Sequence, residues 1–122
     1  MQKIINWFEI PVADLEAAAT FYETVLGCTL KRMQSSGMTL AVFPYECPAT
    51  GGALVQQADA QPGHGGPLLY LDAGPSLAAV LARVEGAGGR ILTPATQLDG
   101  DIGSIAVIED VAGQRIGLHA AP

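Results

Sequence analysis

The chain has 122 residues, 49% of them hydrophobic and 15% charged, with a formal net charge of −6 at pH 7. That balance suits one globular core and excludes a disordered chain, and the lack of any Lys/Arg cluster excludes a nucleic-acid backbone partner. Neither Cys28 nor Cys47 sits in a Cys-x-x-Cys pair. No apolar run reaches membrane-spanning length, and Met1–Ile5 carries no leader-like apolar region. A cytoplasmic protein with reduced thiols and no membrane partner is expected.

Ile4 to Val12 is β-branched and aromatic enough for a strand, with Pro11 near its end. Asp14 is a good N-cap, and Glu16 follows in the first turn. Leu15, Ala19, Tyr22 and Leu26 recur at helical spacing, and Gly27 is a stop signal, which predicts a helix from Asp14 to Leu26. Strands are predicted at Cys28–Arg32, at Met38–Phe43 after a Ser36-Gly37 turn, and at Gly52–Gln57. Ala58 to Gly66 is rich in Gly, Pro, Gln and Asp and reads as a linker.

The second half repeats the first. Leu68–Leu71 reads as a strand, and Pro75 suits the first turn of a helix. That helix carries the stripe Leu77, Val80, Leu81, Val84 and ends at Gly88-Gly89. Arg90–Leu92, Gly103–Ile108 and Gln114–Leu118 are the strands that follow, the last two joined by a turn at Asp110–Gly113. Leu15, Ala19, Tyr22 and Gly27 reappear at one constant offset as Leu77, Leu81, Val84 and Gly89. The expected fold is therefore α+β: two tandem βαβββ repeats in one domain over residues 1–122. Repeat one covers about 1–57, the linker 58–66 and repeat two about 67–122. Each helix covers one sheet face, and the other faces bound a cleft.

Trp7-Phe8-Glu9-Ile10-Pro11-Val12-Ala13-Asp14-Leu15, Phe21-Tyr22-Glu23-Thr24-Val25-Leu26-Gly27 and Ile108-Glu109-Asp110-Val111-Ala112-Gly113-Gln114-Arg115-Ile116-Gly117-Leu118-His119 carry a resemblance. In them the chain resembles the vicinal-oxygen-chelate superfamily of glyoxalase, bleomycin-resistance and dioxygenase-like proteins. The resemblance implies a divalent ion held by His, Glu or Gln on four strands. Its ligand positions fall on Trp7, near Leu54, near Gly66 or Pro67, and on Gly117, none of which can coordinate a metal. No metal and no other cofactor is predicted. The resemblance also implies a homodimer that builds its cavity between modules, and exposed strand edges favour such pairing.

Strand alternation then sorts the cavity wall. With position 7 facing the cleft, Glu9 faces it too; with 117, so do Arg115 and His119; with 54, so does Gln56. Tyr70 is the repeat partner of Glu9, and Phe43 closes the third strand. Glu9 reads as a general base or ligand anchor, or as a carboxylate paired structurally with Arg115 or His119. His119 reads as a proton shuttle or anion contact, or as a half-exposed terminal residue. Trp7 either stacks on a ligand or packs, and Arg115 either steers an anion or makes a rim salt bridge. His64 is solvated in the linker, or swings over the cleft on a mobile loop.

No Gly-x-Ser-x-Gly elbow, phosphate loop or dinucleotide fingerprint is present. The expected function is to bind a small organic molecule in a metal-free cavity. The alternative is an enzyme, a lyase or dioxygenase of the same superfamily, using either Glu9 and His119 as acid and base or a metal held by ligands in another register. A purely structural module is a third possibility.

Overall fold

A computed structural model describes residues 3–122. Met1 and Gln2, assigned by the sequence to the first repeat, lie outside the described residues. The first half consists of β1 (Trp7–Val12), α1 (Leu15–Leu26), β2 (Lys31–Ser35), β3 (Met38–Val42) and β4 (Gly51–Gln56). The second repeats the order with β5 (Tyr70–Asp72), α2 (Leu77–Leu81), β6 (Arg90–Gln97), β7 (Ser104–Glu109) and β8 (Arg115–Ala120). The sheets run β1-β4-β3-β2 and β5-β8-β7-β6. In each, the opening strand lies parallel to the closing one and the other pairs are antiparallel.

Both helices start on a side-chain cap. Asp14 accepts the Ala17 amide at 3.0 Å and Ser76 the Ala79 amide at 3.1 Å. Gly27 closes α1 in the left-handed conformation. The predicted second strand begins three residues late. After the cap, the Cys28 amide returns to the Glu23 carbonyl and the Leu30 amide donates to the Glu23 carboxylate, so pairing opens at Lys31. Arg32 then bridges Glu16 and Glu23 at 2.9 and 3.0 Å and ties β2 to α1. Helix α2 stops before the predicted glycine pair, because the amides of Arg83 and Val84 reach back only three residues. Strand β6 runs past Leu92 through Pro94 to Gln97, which is tolerated because β6 is an edge strand and carries two register shifts.

One apolar core takes residues from both halves, with Ile10, Phe21, Tyr22 and Leu54 packed with Ile108, Ile116 and Leu118. At its centre the Tyr22 hydroxyl donates to the Asp110 carboxylate at 2.6 Å. The other Asp110 oxygen accepts the Ala112 and Gln114 amides and so forms the β7–β8 turn. Asp110 is 3% exposed and is the one buried charged side chain among the described residues. Burial, and then the Asp110 charge, push the Tyr22 phenol well above its ordinary range, so it remains a donor. Tyr22→Phe is expected to cost about 2 kcal/mol, because the carboxylate loses a buried partner. A urea midpoint that does not move would contradict this.

Candidate functional site

The faces of the sheets turned away from the helices hold the site. On β1 burial alternates, with Ile10 and Val12 buried and Trp7, Glu9 and Pro11 exposed. Trp7, Glu9 and Pro11 pair with Gly51, Ala53 and Val55 of β4. On β8 the outward residues are Arg115, Gly117 and His119, and Tyr70 pairs with Gly117.

Glu9 and Arg115 line one cleft of about 370 Å³, between β1 on one wall and β8 with residues 65–69 on the other. Phe8, Ile10, Pro67 and Ile116 supply its apolar surface. The Glu9 carboxylate accepts the Trp7 indole N–H at 3.3 Å, and the Arg115 guanidinium donates to the Gly66 carbonyl at 3.2 Å. Neither residue makes an ion pair among the described residues. The structural pairing of Glu9 with Arg115 or His119 is therefore not formed.

Glycines make room for three rings. A Cβ at Gly117 would lie 2.5 Å from the Tyr70 ring, one at Gly51 2.6 Å from Tyr45, and one at Gly52 2.2 Å from Phe8. Tyr45 meets Trp7 edge to face, with centroids 5.9 Å apart. Sequence reasoning missed Tyr45 as a site residue. The only signal for it was a pair of adjacent glycines opening β4.

Other expectations change. Leu54 is fully buried on the helix side and partners Ile10, so the outward residues of β4 are Gly51, Ala53 and Val55. Gln56, in phase with Leu54, lies on the opposite face from Glu9; an assumed register one residue off reverses every side chain. Phe43 is 8% exposed and belongs to the core, with ring centroids 5.7 Å from Phe8 and 5.6 Å from Tyr22. Tyr70 lines a neighbouring cavity of about 550 Å³ with Ile5, Phe8 and Leu68. His119 is not among the residues lining the Glu9 cleft, and its ring nitrogen is held by the Ile102 carbonyl at 2.5 Å.

The end of the linker is a tethered strap. Gly63 receives the Arg115 amide on its carbonyl and gives its own amide to the Gln114 side chain. His64 pairs with Glu109 at 2.6 Å, and Arg90 holds the same carboxylate at 3.1 Å. His64 is thus neither free in solvent nor swung over Glu9. The half-buried Cys28 thiol is pushed up by burial and then by the Glu23 charge, which disfavours a thiolate.

A family model described as bleomycin resistance protein-like N-terminal matches residues 5–43. No curated protein matches the chain. Among solved structures, a glyoxalase/bleomycin resistance protein from Albidiferax ferrireducens T118 is 20% identical, with 97% of this chain and 98% of that one covered and a TM-score of 0.73. The fold is that of the vicinal-oxygen-chelate superfamily. A glyoxylase/bleomycin resistance protein/dioxygenase domain from Frankia sp. EAN1pec shares it at 16% identity, 100% and 94% coverage and a TM-score of 0.67. Glyoxalase I from Zea mays shares it at 24% identity and a TM-score of 0.68, the match spanning 94% of this chain and 45% of that one.

The vicinal-oxygen-chelate fold implies a divalent metal, and the residues here do not fit one. The ligand positions that the resemblance implies on β1 and β8 hold Trp7 and Gly117, and those near the end of the linker hold Gly66 and Pro67. The outward residues of β4 are Gly51, Ala53 and Val55, and the Tyr70 ring occupies the space above Gly117. Among the described residues no group of three or more His, Cys, Asp or Glu side chains is gathered to hold an ion. No helix among them is long and apolar enough to cross a membrane.

The strap gives a pH test. Arg90 first, and His64 second, hold the Glu109 carboxyl below its ordinary 4.5. A lowered folded-state value means the tether is complete above 4.5 and is lost as pH falls through that lowered value. Protection of the Gly63 and Arg115 amides, measured relative to intrinsic exchange at the same pH, should fall on acidification and should already be low at neutral pH in Glu109→Gln. Unchanged exchange in that variant would refute the tether.

Proposed function

We propose that the protein binds a small organic molecule in the cleft between β1 and the strap–β8 wall, without a resident metal. The observation that carries this reading is that Glu9 and Arg115, of opposite charge, line one apolar cleft and make no ion pair among the described residues. Groups of that kind orient a ligand, while Phe8, Pro67 and Leu69 supply the apolar contact. The volume, about 370 Å³, suits a small molecule. Glu9 anchors and Arg115 steers. The acid–base alternative gains nothing from His119, which does not line the Glu9 cleft and whose Nε2 lies on the Ile102 carbonyl.

A small-molecule screen read by thermal shift tests the reading, since a ligand that binds only the native state raises its stability. Hits on the wild type should fail to stabilise Glu9→Gln, whose own melting temperature should stay within a few degrees of wild type. Added divalent cations should leave the hit-induced shifts unchanged. Equal hits on Glu9→Gln, or stoichiometric metal retained through dialysis, would overturn it.

We also propose a homodimer. On the β2–β3 side of the first sheet's outward face, exposed Met33 and Met38 flank the half-buried Val42, over the buried Leu40. A second copy seated on β2 and β3 would remove Met33 and Met38 from water and leave Trp7 and Glu9 open. Sedimentation at micromolar concentration should give twice the chain mass, and a monomer would refute the pairing.

A further inference from the structure

Three groups converge on the outward side of β1. The Trp7 and Tyr45 rings stand at 75° with centroids 5.9 Å apart, and they are 40% and 46% exposed. They form a corner whose ring faces are partly open. The Glu9 carboxylate sits at its edge, on the indole N–H. Gly51 permits the arrangement, because any larger residue would collide with Tyr45. Ring faces carry negative potential and a carboxylate carries a full charge, so together they suit an organic ammonium. A bare metal ion would need more oxygen donors than one carboxylate supplies.

Glu9 also lines the cleft whose far wall carries Arg115. The Arg115 guanidinium uses one N–H on Gly66 and has others to offer an anion. The apolar side chains of Ile10, Pro67 and Ile116 lie on the cleft walls that bear the two charges. An uncharged ligand would desolvate both charges without compensation, and a singly charged one would leave one of them unpaired.

We propose that the ligand is dipolar: an organic ammonium seated against Trp7, Tyr45 and Glu9, a carboxylate directed to Arg115, and a short apolar chain between them. The proposal rests on the cleft reading above and names its ligand class.

The test uses three probes, γ-(trimethylammonio)butyrate, butyrate and butyltrimethylammonium, titrated into the 122-residue chain and followed by NMR. The dipolar probe should bind about tenfold more tightly than either half, because its second pole engages intramolecularly. Glu9→Gln and Tyr45→Leu should each weaken it about five-fold and leave butyrate unaffected. Arg115→Gln should weaken butyrate and spare butyltrimethylammonium. Equal affinity for all three probes, unchanged in the variants, would overturn the ligand class and leave the cleft standing. No shift at Ile10 or Ile116 with any probe would also overturn the ligand class, and the cleft falls with it if the small-molecule screen gives no hit either.

Discussion

A single buried carboxylate joins the two halves of this chain. Asp110 uses one oxygen to form the turn between β7 and β8 and the other to receive the Tyr22 hydroxyl from α1. A buried charge is costly unless every lone pair finds a donor, and here three donors converge on it. That requirement fixes the first helix against the last hairpin. The position of β8, and so of Arg115 relative to Glu9, follows from it. The site is thus assembled through a contact on the opposite side of the sheets.

The strap extends the same dependence. It has no regular structure, yet it is held at Gly63, His64 and Gly66 by partners on β7, β8 and the turn between them. Its residues 65 and 67 then form part of the cleft wall. A segment whose composition suggests flexibility becomes a wall because three anchors within four residues restrict it. The charges that restrict it, Arg90, Glu109 and His64, lie outside the cleft and leave Arg115 available.

Much of the fold was legible in the sequence because it depends on local signals. Asp14 and Ser76 cap helices, Gly27 stops one, Ser36-Gly37 turns a hairpin, and Asp110–Gly113 turns another. The duplicated order followed from the matching apolar spacing. Less legible were features set by tertiary contacts. The late start of β2 depends on the Glu23 carboxylate capturing the Leu30 amide, and the length of β6 on its place at a sheet edge. In the site, Trp7, Glu9, Tyr70, Arg115 and His119 do point away from the helices, since alternation along a strand is a local property. Gln56 and Phe43 were misplaced for one reason. Facing them correctly needed the pairing register, which composition does not encode, and a slip of one residue reverses the face. Tyr45 lay in a loop where no periodicity applies, and its role became visible only with the space above Gly51.

The ring of Tyr70 lying across Gly117 has a consequence for the history and redesign of this pocket. A chain of this kind cannot gain or regain a coordinating residue on its last strand by one substitution at 117, because the incoming side chain would meet the phenol at once. The aromatic must be cleared first, or both positions must change together. Each step alone removes one arrangement without completing the other. Position 117 is thereby held to glycine for as long as that ring lies across it.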